Sequence, residues 1–508
     1  MRNIVCTALC VFLIGLAHAE NYKNTIQRLT SAGSLHSPVS VSRVYEKMPA
    51  PIWNAARMES LLQDIAGSAS HGLEPADYHL GVLSSPGNTS ERDVYATDAY
   101  LTLAGHLLGG RIDPVSLEPT WTAKGRERDL PVYLMETIDT VSPAVSLEQL
   151  APSQPRYARL RDALAHFEKI AGEGGWPTVR GSGLLKPGHH AAWVPSLRAR
   201  MRASGDYNGT PQEATLYDAE LVHAVKIFQV RSNLEPDGIV GPITLKNLNQ
   251  SAQDKVNKIK VNLERWRWLP DDMGYRHIRV NIADYRLEAH EGTNVKEIFD
   301  VVVGRTYRQT PIFSANMSYL VLNPWWEVPR KLARQDLLPK FQKTPEIIRE
   351  LGYHILDSHG QSVDPYAVDW KAIPAARFPY RVRQEPGGKN ALGRVKFMFP
   401  NQHEVYLHDT PSRDLFAKVR RDFSSGCIRV SDPMDLAAWV LKATPGWSED
   451  KVLDVVASGR ETSVRLKDRI PVHLLYWTVV VNDETGDIRF IEDIYERDDK
   501  IWAAIQNR

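Results

Sequence analysis

The spacing of apolar residues changes character near residue 270, and that change divides the chain into a part built of helices and a part built of strands. Before it, Leu221, Val222, Val225 and Phe228 recur at helical spacing. After it come YRHIRVNI, YRLEAHE, EIFDVVVGR, SYLVLNPWWEVP, VKFMFPN, EVYLHDT, PVHLLYWTVVVND and DIRFIEDIY, short runs separated by turn residues, the pattern of an antiparallel sheet system. Between Pro329 and about Pro386 the strands are interrupted by RQDLLPKFQKTPEIIRELGYHILD, which has helical character and reads as a lid over the active face of the sheet. A chain of 508 residues is too long for one core. The expected architecture is α+β and multidomain. An α-rich scaffold domain spans 20–185, a small three-helix domain 195–250 and a mainly-β domain 255–485 with a helical lid insertion at 330–386. A strand and tail follow at 486–508.

The first residues, MRNIVCTALCVFLIGLAHAE, carry a positive Arg2, an apolar run to Leu16 and then Ala17-His18-Ala19. This is the pattern of a secretory leader cleaved after Ala19, with an apolar run shorter than the roughly 20 residues of a spanning helix. Cleavage removes Cys6, Cys10 and Arg2, leaving Cys427 as the one cysteine and 61 basic against 61 acidic side chains. A balanced charge argues against nucleic acid as a partner, because phosphate binding needs a concentrated basic surface. The mature protein is expected to be exported.

In the helical part, an amphipathic segment near Trp53 to Ile65 and a helix within 97–114 flank a Gly-Pro turn at 71–83, and no catalytic residue types cluster there. The Gly/Pro-rich GEGGWPTVRGSGLLKPG at 172–188 reads as an exit linker or extended loop. Next, a helix ends before Pro236, Asp237-Gly238 makes a tight turn, and Gly241-Pro242 opens a last short helix with Ile243, Leu245 and Leu248 on its buried side. FQVRSNLEPDGIVGPITLKNLN resembles the peptidoglycan-binding module of bacterial cell-wall enzymes.

In SSGCIRV the cysteine sits between a glycine and a residue pair ending in arginine. A cysteine nucleophile needs a base, a polarised pocket and room for an acyl group. Gly426 permits close approach, and Arg429, two residues on in an extended segment, shares the face of Cys427, where its charge favours thiolate and attracts a carboxylate. The helix after it starts at SDPMDLAAWVL, with Asp432 at the cap and Pro433 in the first turn. His408 in VYLHDT is the best base, and alternation puts Tyr406 on its side of the strand. His403 is off that face. Trp325 and Trp326 read as core and cleft wall. His354, His359, His189 and His190 lack a matched ligand set, so no metal is expected.

Taken together, HDTPSRDLFAKVRRDFSSGCIRV resembles the catalytic segment of the L,D-transpeptidases (YkuD-type), and the lid and helical domain resemble the large periplasmic YcbB-type members. The resemblance implies Cys427 as nucleophile and His408 as general base. Cys427 N–H and the Tyr406 hydroxyl would face the oxyanion, with Ser425, Gly426 and Arg429 as substrate or loop contacts. Many members have His-Gly where this chain has His408-Asp409, which leaves open whether Asp409 or a backbone carbonyl orients the imidazole. The implied reaction forms 3-3 cross-links through a thioester on a meso-diaminopimelate tetrapeptide donor, releases D-alanine and uses no cofactor. Acylation by carbapenems and partnership with cell-wall synthases are also implied. Two other readings stand beside it: hydrolysis of the same acyl-enzyme by an L,D-carboxypeptidase or amidase, and a non-catalytic wall-binding scaffold.

Overall fold

The computed structural model describes residues 20–48, 50–85 and 89–507; the expected leader with Cys6 and Cys10 lies outside them. No helix among the described residues is long and apolar enough to cross a membrane. The chain divides into two compact units, one drawn from Met1–Pro119, Ala123–Asp271 and Trp477–Arg508, the other from Thr120–Thr122 and Asp272–Tyr476.

The first unit is helical. Its helix Thr89–Gly109 is buried on nearly every side, with Val94, Tyr100, Leu101 and Leu103 sealed from solvent, so it begins earlier and packs more centrally than the 97–114 pattern indicates. Asn54 caps Ala55–Gly67 by accepting from Arg57 N–H, which sets the start of the amphipathic segment after Trp53. Ala252–Arg267 is opened by a capping box in which Ser251 and Asp254 each accept the other's backbone N–H. This helix was expected at the head of the β domain, but its contacts tie it to the helical unit. Trp266 stacks on Trp477 with ring centres 4.7 Å apart, and Asn262 Oδ1 accepts from Thr478 N–H at 2.9 Å. The same contacts draw the chain after Tyr476 back into this unit, where Val479–Val481 and Ile488–Phe490 form a hairpin and Asp498–Gln506 a last helix.

Also in the first unit, Val194–Ala203, Ala219–Arg231 and Pro242–Leu248 make the expected three-helix module around Leu197, Met201, Val225, Phe228 and Leu248, although Ile243, expected on the buried side of the last helix, is exposed. The structure gives the FQ…DG pattern a physical reason. Gln229 accepts from Gly238 N–H at 2.9 Å and donates to Asp237 Oδ1 at 2.9 Å, so one buried amide pins the turn. The 172–188 stretch is extended, and its Leu185 bridges Val240 and joins the module's core.

The second unit is built on strands β1 (Arg276–Asn281), β2 (Arg286–Glu291), β3 (Asn294–Gly304), β4 (Phe313–Leu322), β5 (Trp326–Glu327), β6 (Tyr353–Leu356), β7 (Ser362–Val363), β8 (Arg381–Gln384), β9 (Val395–Met398), β10 (Leu407–His408), β11 (Asp422–Ser424), β12 (Ile428–Val430) and β13 (Thr462–Leu475). Nine of them run β11-β3-β12-β10-β9-β4-β13-β1-β2, and because β2 also pairs with β3 the order returns on itself. The sheet is not purely antiparallel as the short runs suggest. β1 with β13, β10 with β12 and β11 with β3 are parallel, which their long intervening connections permit.

Residues 330–386 are only partly helical. Short helices Leu338–Lys343 and Ile347–Glu350 accompany a four-stranded sheet in the order β5-β8-β6-β7. Phe341, Ile348, Ile355, Trp370 and Val382 give this insertion a core of its own, against which Trp326 packs.

Within the first unit, the fully buried Glu264 accepts from Arg267 Nη2 at 2.6 Å, Ile112 N–H at 3.0 Å and Trp268 Nε1 at 3.0 Å. Glu264→Ala strands the buried guanidinium of Arg267, and its urea-unfolding stability should fall by about 3–5 kcal/mol, against less than ~1 kcal/mol for exposed Glu173→Ala.

Candidate active site

Strand register puts the site together. In the parallel β10–β12 pair Leu407 faces Ile428 and His408 faces Arg429, and Ile428 N–H donates to Tyr406 carbonyl at 3.1 Å. Cys427 therefore lies opposite Tyr406, and period-two alternation places Tyr406, His408, Cys427 and Arg429 on one face. Across β9, Lys396 faces His408 and joins the same face. The Tyr406 and His408 rings are 5.6 Å apart and edge-on, and Lys396 Nζ lies 4.3 Å from the Tyr406 ring centre.

His408 is buried, and its Nδ1 donates to the carbonyl of Asp409 at 2.5 Å. A carbonyl only accepts, so the neutral ring carries its lone pair on Nε2. Burial, then the charge of Arg429 and more weakly of Lys396, push the imidazole down to about 3 against the pull of the Asp409 carbonyl, so the ring is an unprotonated base at neutral pH. The question left by the His-Asp sequence is answered by the backbone. Asp409's carboxylate instead accepts from Arg394 and Thr410 N–H, at 2.8 and 2.6 Å, and pairs with Arg413 at 2.6 Å. Gly393 lies against it at φ +60°, where a Cβ would fall 2.2 Å from the carboxyl carbon. Only glycine fits there.

Cys427 is a free, half-buried thiol. Burial pushes it up from the ordinary cysteine value, outweighing the Tyr406 backbone and hydroxyl hydrogen bonds and the nearby charges of Lys396 and Arg429. Desolvation therefore works against the thiolate that Arg429 favours. Its loop is tightly held. Ser424 Oγ donates to the Cys427 carbonyl at 2.5 Å and accepts from Gly426 N–H at 3.1 Å, while Thr310 Oγ1 donates to the Gly426 carbonyl at 2.9 Å. Gly426 sits at φ +117°, so its place in the motif is fixed by backbone conformation. Exposed Ser425 accepts from Arg308 Nη1 at 3.0 Å, and Arg308 also donates two hydrogen bonds to the carboxylate of Asp336 in the insertion, at 2.6 and 2.9 Å. Arg429 has a buried Nε without a hydrogen-bond partner, a donor in reserve beside the thiol.

Lys396, Arg308, Thr310 and Gly393 were not singled out in the sequence, because their roles depend on pairing across strands far apart in the chain. The weaker base candidate, His403, packs 5.0 Å from Phe313, away from this face. His354 pairs with Glu385, and His359 lies beside Asp357. Elsewhere, His36, His79 and Asp98 bring their ligand atoms within 4.8 Å of one another, but Asp98 is already engaged by His36 and Ser37 N–H and by His79 Nε2.

Residues 275–452 match the family model described as the L,D-transpeptidase catalytic domain (YkuD), residues 193–248 the "Putative peptidoglycan binding domain" and residues 39–164 the scaffold domain. A curated relative from Haemophilus influenzae, named "Putative L,D-transpeptidase", is 41% identical over 247 residues, which is 49% of this chain and 49% of that protein. The chain thus aligns with about half the length of the curated relative it matches. Solved L,D-transpeptidases from Xylanimonas cellulosilytica (14% identical, 58% of this chain and 98% of that one, TM-score 0.18) and Stackebrandtia nassauensis (12%, 61% and 99%, 0.21) are too distant in shape to add to this.

Two measurements follow from the protonation states. Alkylation of Cys427 by iodoacetamide should be slower at pH 7 than for a free cysteine and climb as pH passes above the ordinary thiol range near 8.5; rapid labelling at pH 6 would contradict the half-buried, protonated thiol. The folded value of His408 lies below the unfolded value of about 6.5, so the stability linked to it is fully present above that pH and is lost as pH falls toward 3. Melting temperature should accordingly fall less steeply over that window in His408→Gln than in wild type. With register, orienting carbonyl and sequence matches in agreement, the chain carries a YkuD-type L,D-transpeptidase catalytic domain together with a peptidoglycan-binding domain.

Proposed function

We propose that this protein is a cell-wall L,D-transpeptidase that forms 3-3 cross-links in peptidoglycan. The observation that carries the reading is the shared face of Cys427, His408, Tyr406 and Arg429 on the parallel β10–β12 pair. In the first step His408 Nε2 takes the thiol proton as Cys427 Sγ attacks the carbonyl of the third stem residue. The C–N bond to terminal D-alanine breaks, and the amine leaves with the proton from the imidazolium. The thioester is then attacked by the side-chain amine of a second stem; its proton passes to His408 and returns to sulfur, and the C–S bond breaks. Two easier barriers replace one amide exchange.

Cys427 N–H and the Tyr406 hydroxyl are the candidates for the oxyanion, where one donor is worth about 3–4 kcal/mol in other acyl-transfer sites. Arg429, with its spare Nε, is suited to a donor carboxylate. The meso-diaminopimelate stem is the proposed substrate, carbapenems the proposed acylating inhibitors, and cell-wall synthases the proposed partners. The three-helix module holds the protein on the wall, and the leader expected at 1–19 makes the periplasm its proposed location. Hydrolysis of the same thioester uses the same residues with water as acceptor.

Purified protein incubated with disaccharide-tetrapeptide should yield cross-linked dimer and free D-alanine by mass spectrometry, and Cys427→Ala should abolish both. Trimmed monomer without dimer would favour the carboxypeptidase reading. Unchanged dimer from Cys427→Ala would end the proposal. Tyr406→Phe should lower kcat by about 10²-fold with KM little changed if the hydroxyl faces the oxyanion.

A further inference from the structure

A pocket of about 410 Å³ lies within the helical unit, well away in sequence from the thiol. Its walls include Trp176, Arg200, Phe228, Arg231, Lys255 and Phe490, drawn from the three-helix module, the helix Ala252–Arg267 and the C-terminal hairpin. Four cations line it, Arg159 exposed to solvent and Arg200, Arg231 and Lys255 less so, and the bonded partners of these last three do not balance them.

Arg200 is 2% exposed, and its Nε donates to the Leu248 carbonyl at 2.8 Å while its Nη1 has no hydrogen-bond partner. The guanidinium lies 4.0 Å from the Trp176 ring centre, and that ring is fixed by its own Nε1 donating to the Gln250 carbonyl at 2.8 Å. Lys255 is 6% exposed; it donates to the neutral Gln250 Oε1 at 2.5 Å and sits 4.2 Å over Phe490. Arg231 gives both its terminal nitrogens to Asp206, at 2.7 Å each, so the carboxylate bonded to this group is already taken. The other acids in the wall, Asp162 and Asp487, are exposed at its rim.

Buried cations without an anion are costly, and aromatic rings repay only part of that cost. The strain registers on the groups themselves. Burial, then the charges of Lys258, Arg200 and Arg231, press the Lys255 ammonium well below its ordinary range, and burial presses Arg200 down to about 10. An anion between them would relieve both. The flanking Trp176, Phe228 and Phe490 suit a ligand with an apolar or ring-like body rather than a bare ion.

We propose that this pocket binds a carboxylate carried by a cell-wall fragment, received by Arg200 and Lys255 while Trp176, Phe228 and Phe490 pack against its body. The naming of a wall fragment rests on the function proposed above; the carboxylate preference rests on the pocket. Two sources share this chemistry, the carboxyls of a stem peptide and the lactyl carboxyl of peptide-free glycan.

The test uses the full chain in calorimetric titrations with free stem tetrapeptide, with peptide-free muramyl disaccharide and with a fully amidated tetrapeptide, beside co-sedimentation with intact sacculi. Saturable binding of the tetrapeptide or of the disaccharide supports the site and names the source. Lys255→Met and Arg200→Gln should each weaken that binding about tenfold or more, while removal of the buried charge leaves the melting temperature of Lys255→Met equal or higher. Equal binding of the amidated peptide, or affinities untouched in both variants, would overturn the site. Sacculus binding without fragment binding also overturns it and leaves the wall-binding reading standing; fragment binding without sacculus binding does the reverse. Should either variant lose its folding transition, the Trp176 indole N–H resonance of wild type decides: a shift on adding fragment supports the pocket, and none overturns it.

Discussion

The geometry of the candidate active site depends on one short piece of parallel pairing, in which β10 and β12 meet with His408 against Arg429. Two backbone ladders meet over only a few residues, yet the pairing decides which side chains share a face. A slip of one position would turn Cys427 away from Tyr406 and His408 altogether. The surroundings hold that register from both sides. β12 pairs on its far edge with β3, β10 pairs on its far edge with β9, and Ser424 and Thr310 tie the cysteine loop to its own backbone and to the end of β3. Precision here comes from neighbouring strands rather than from the length of either one.

The electrostatics that follow are those of a neutral pair, not of a stored ion pair. Burial raises the thiol and lowers the imidazole, which favours a protonated sulfur beside a nitrogen with a free lone pair. The cations around them, Lys396 and Arg429, pull the thiol toward ionisation and the imidazole away from protonation. The anchor of the imidazole is a main-chain carbonyl, which cannot be lost by side-chain substitution, and the adjacent carboxylate of Asp409 is spent on holding the loop in shape.

Much of this organisation is legible in the chain itself, for reasons that are local. The β runs announce themselves by alternation, the three-helix module by a helix, a DG turn and a Gly-Pro start, and the thiol by being surrounded with glycine and arginine. What stays hidden is non-local. Parallel pairing cannot be read from alternation, so Lys396 does not stand out beside His408, and a lysine in VKFMFPN looks like any strand lysine. Helix Ala252–Arg267 lies next to the β runs in sequence, and only the stacking of Trp266 on Trp477 shows that it belongs with the helical unit. The insertion reads as helical because its first third is; its β strands are two to four residues long, too short to leave a period. The upward push on the thiol is hidden for a related reason, since flanking charge is visible in a sequence and desolvation is not.

The insertion's independent core has an evolutionary consequence. Phe341, Trp370 and Ile355 pack among themselves, and the segment leaves and rejoins the nine-stranded sheet beside paired strands β5 and β8, so its stability is largely its own. Such a segment behaves as a graft: it can lengthen, shrink or change its surface across generations without disturbing the residues that bond to sulfur and imidazole. The Arg308–Asp336 clasp is one contact that has to be kept in step. Divergence around this site should therefore accumulate in the graft, while the strands beneath it drift slowly.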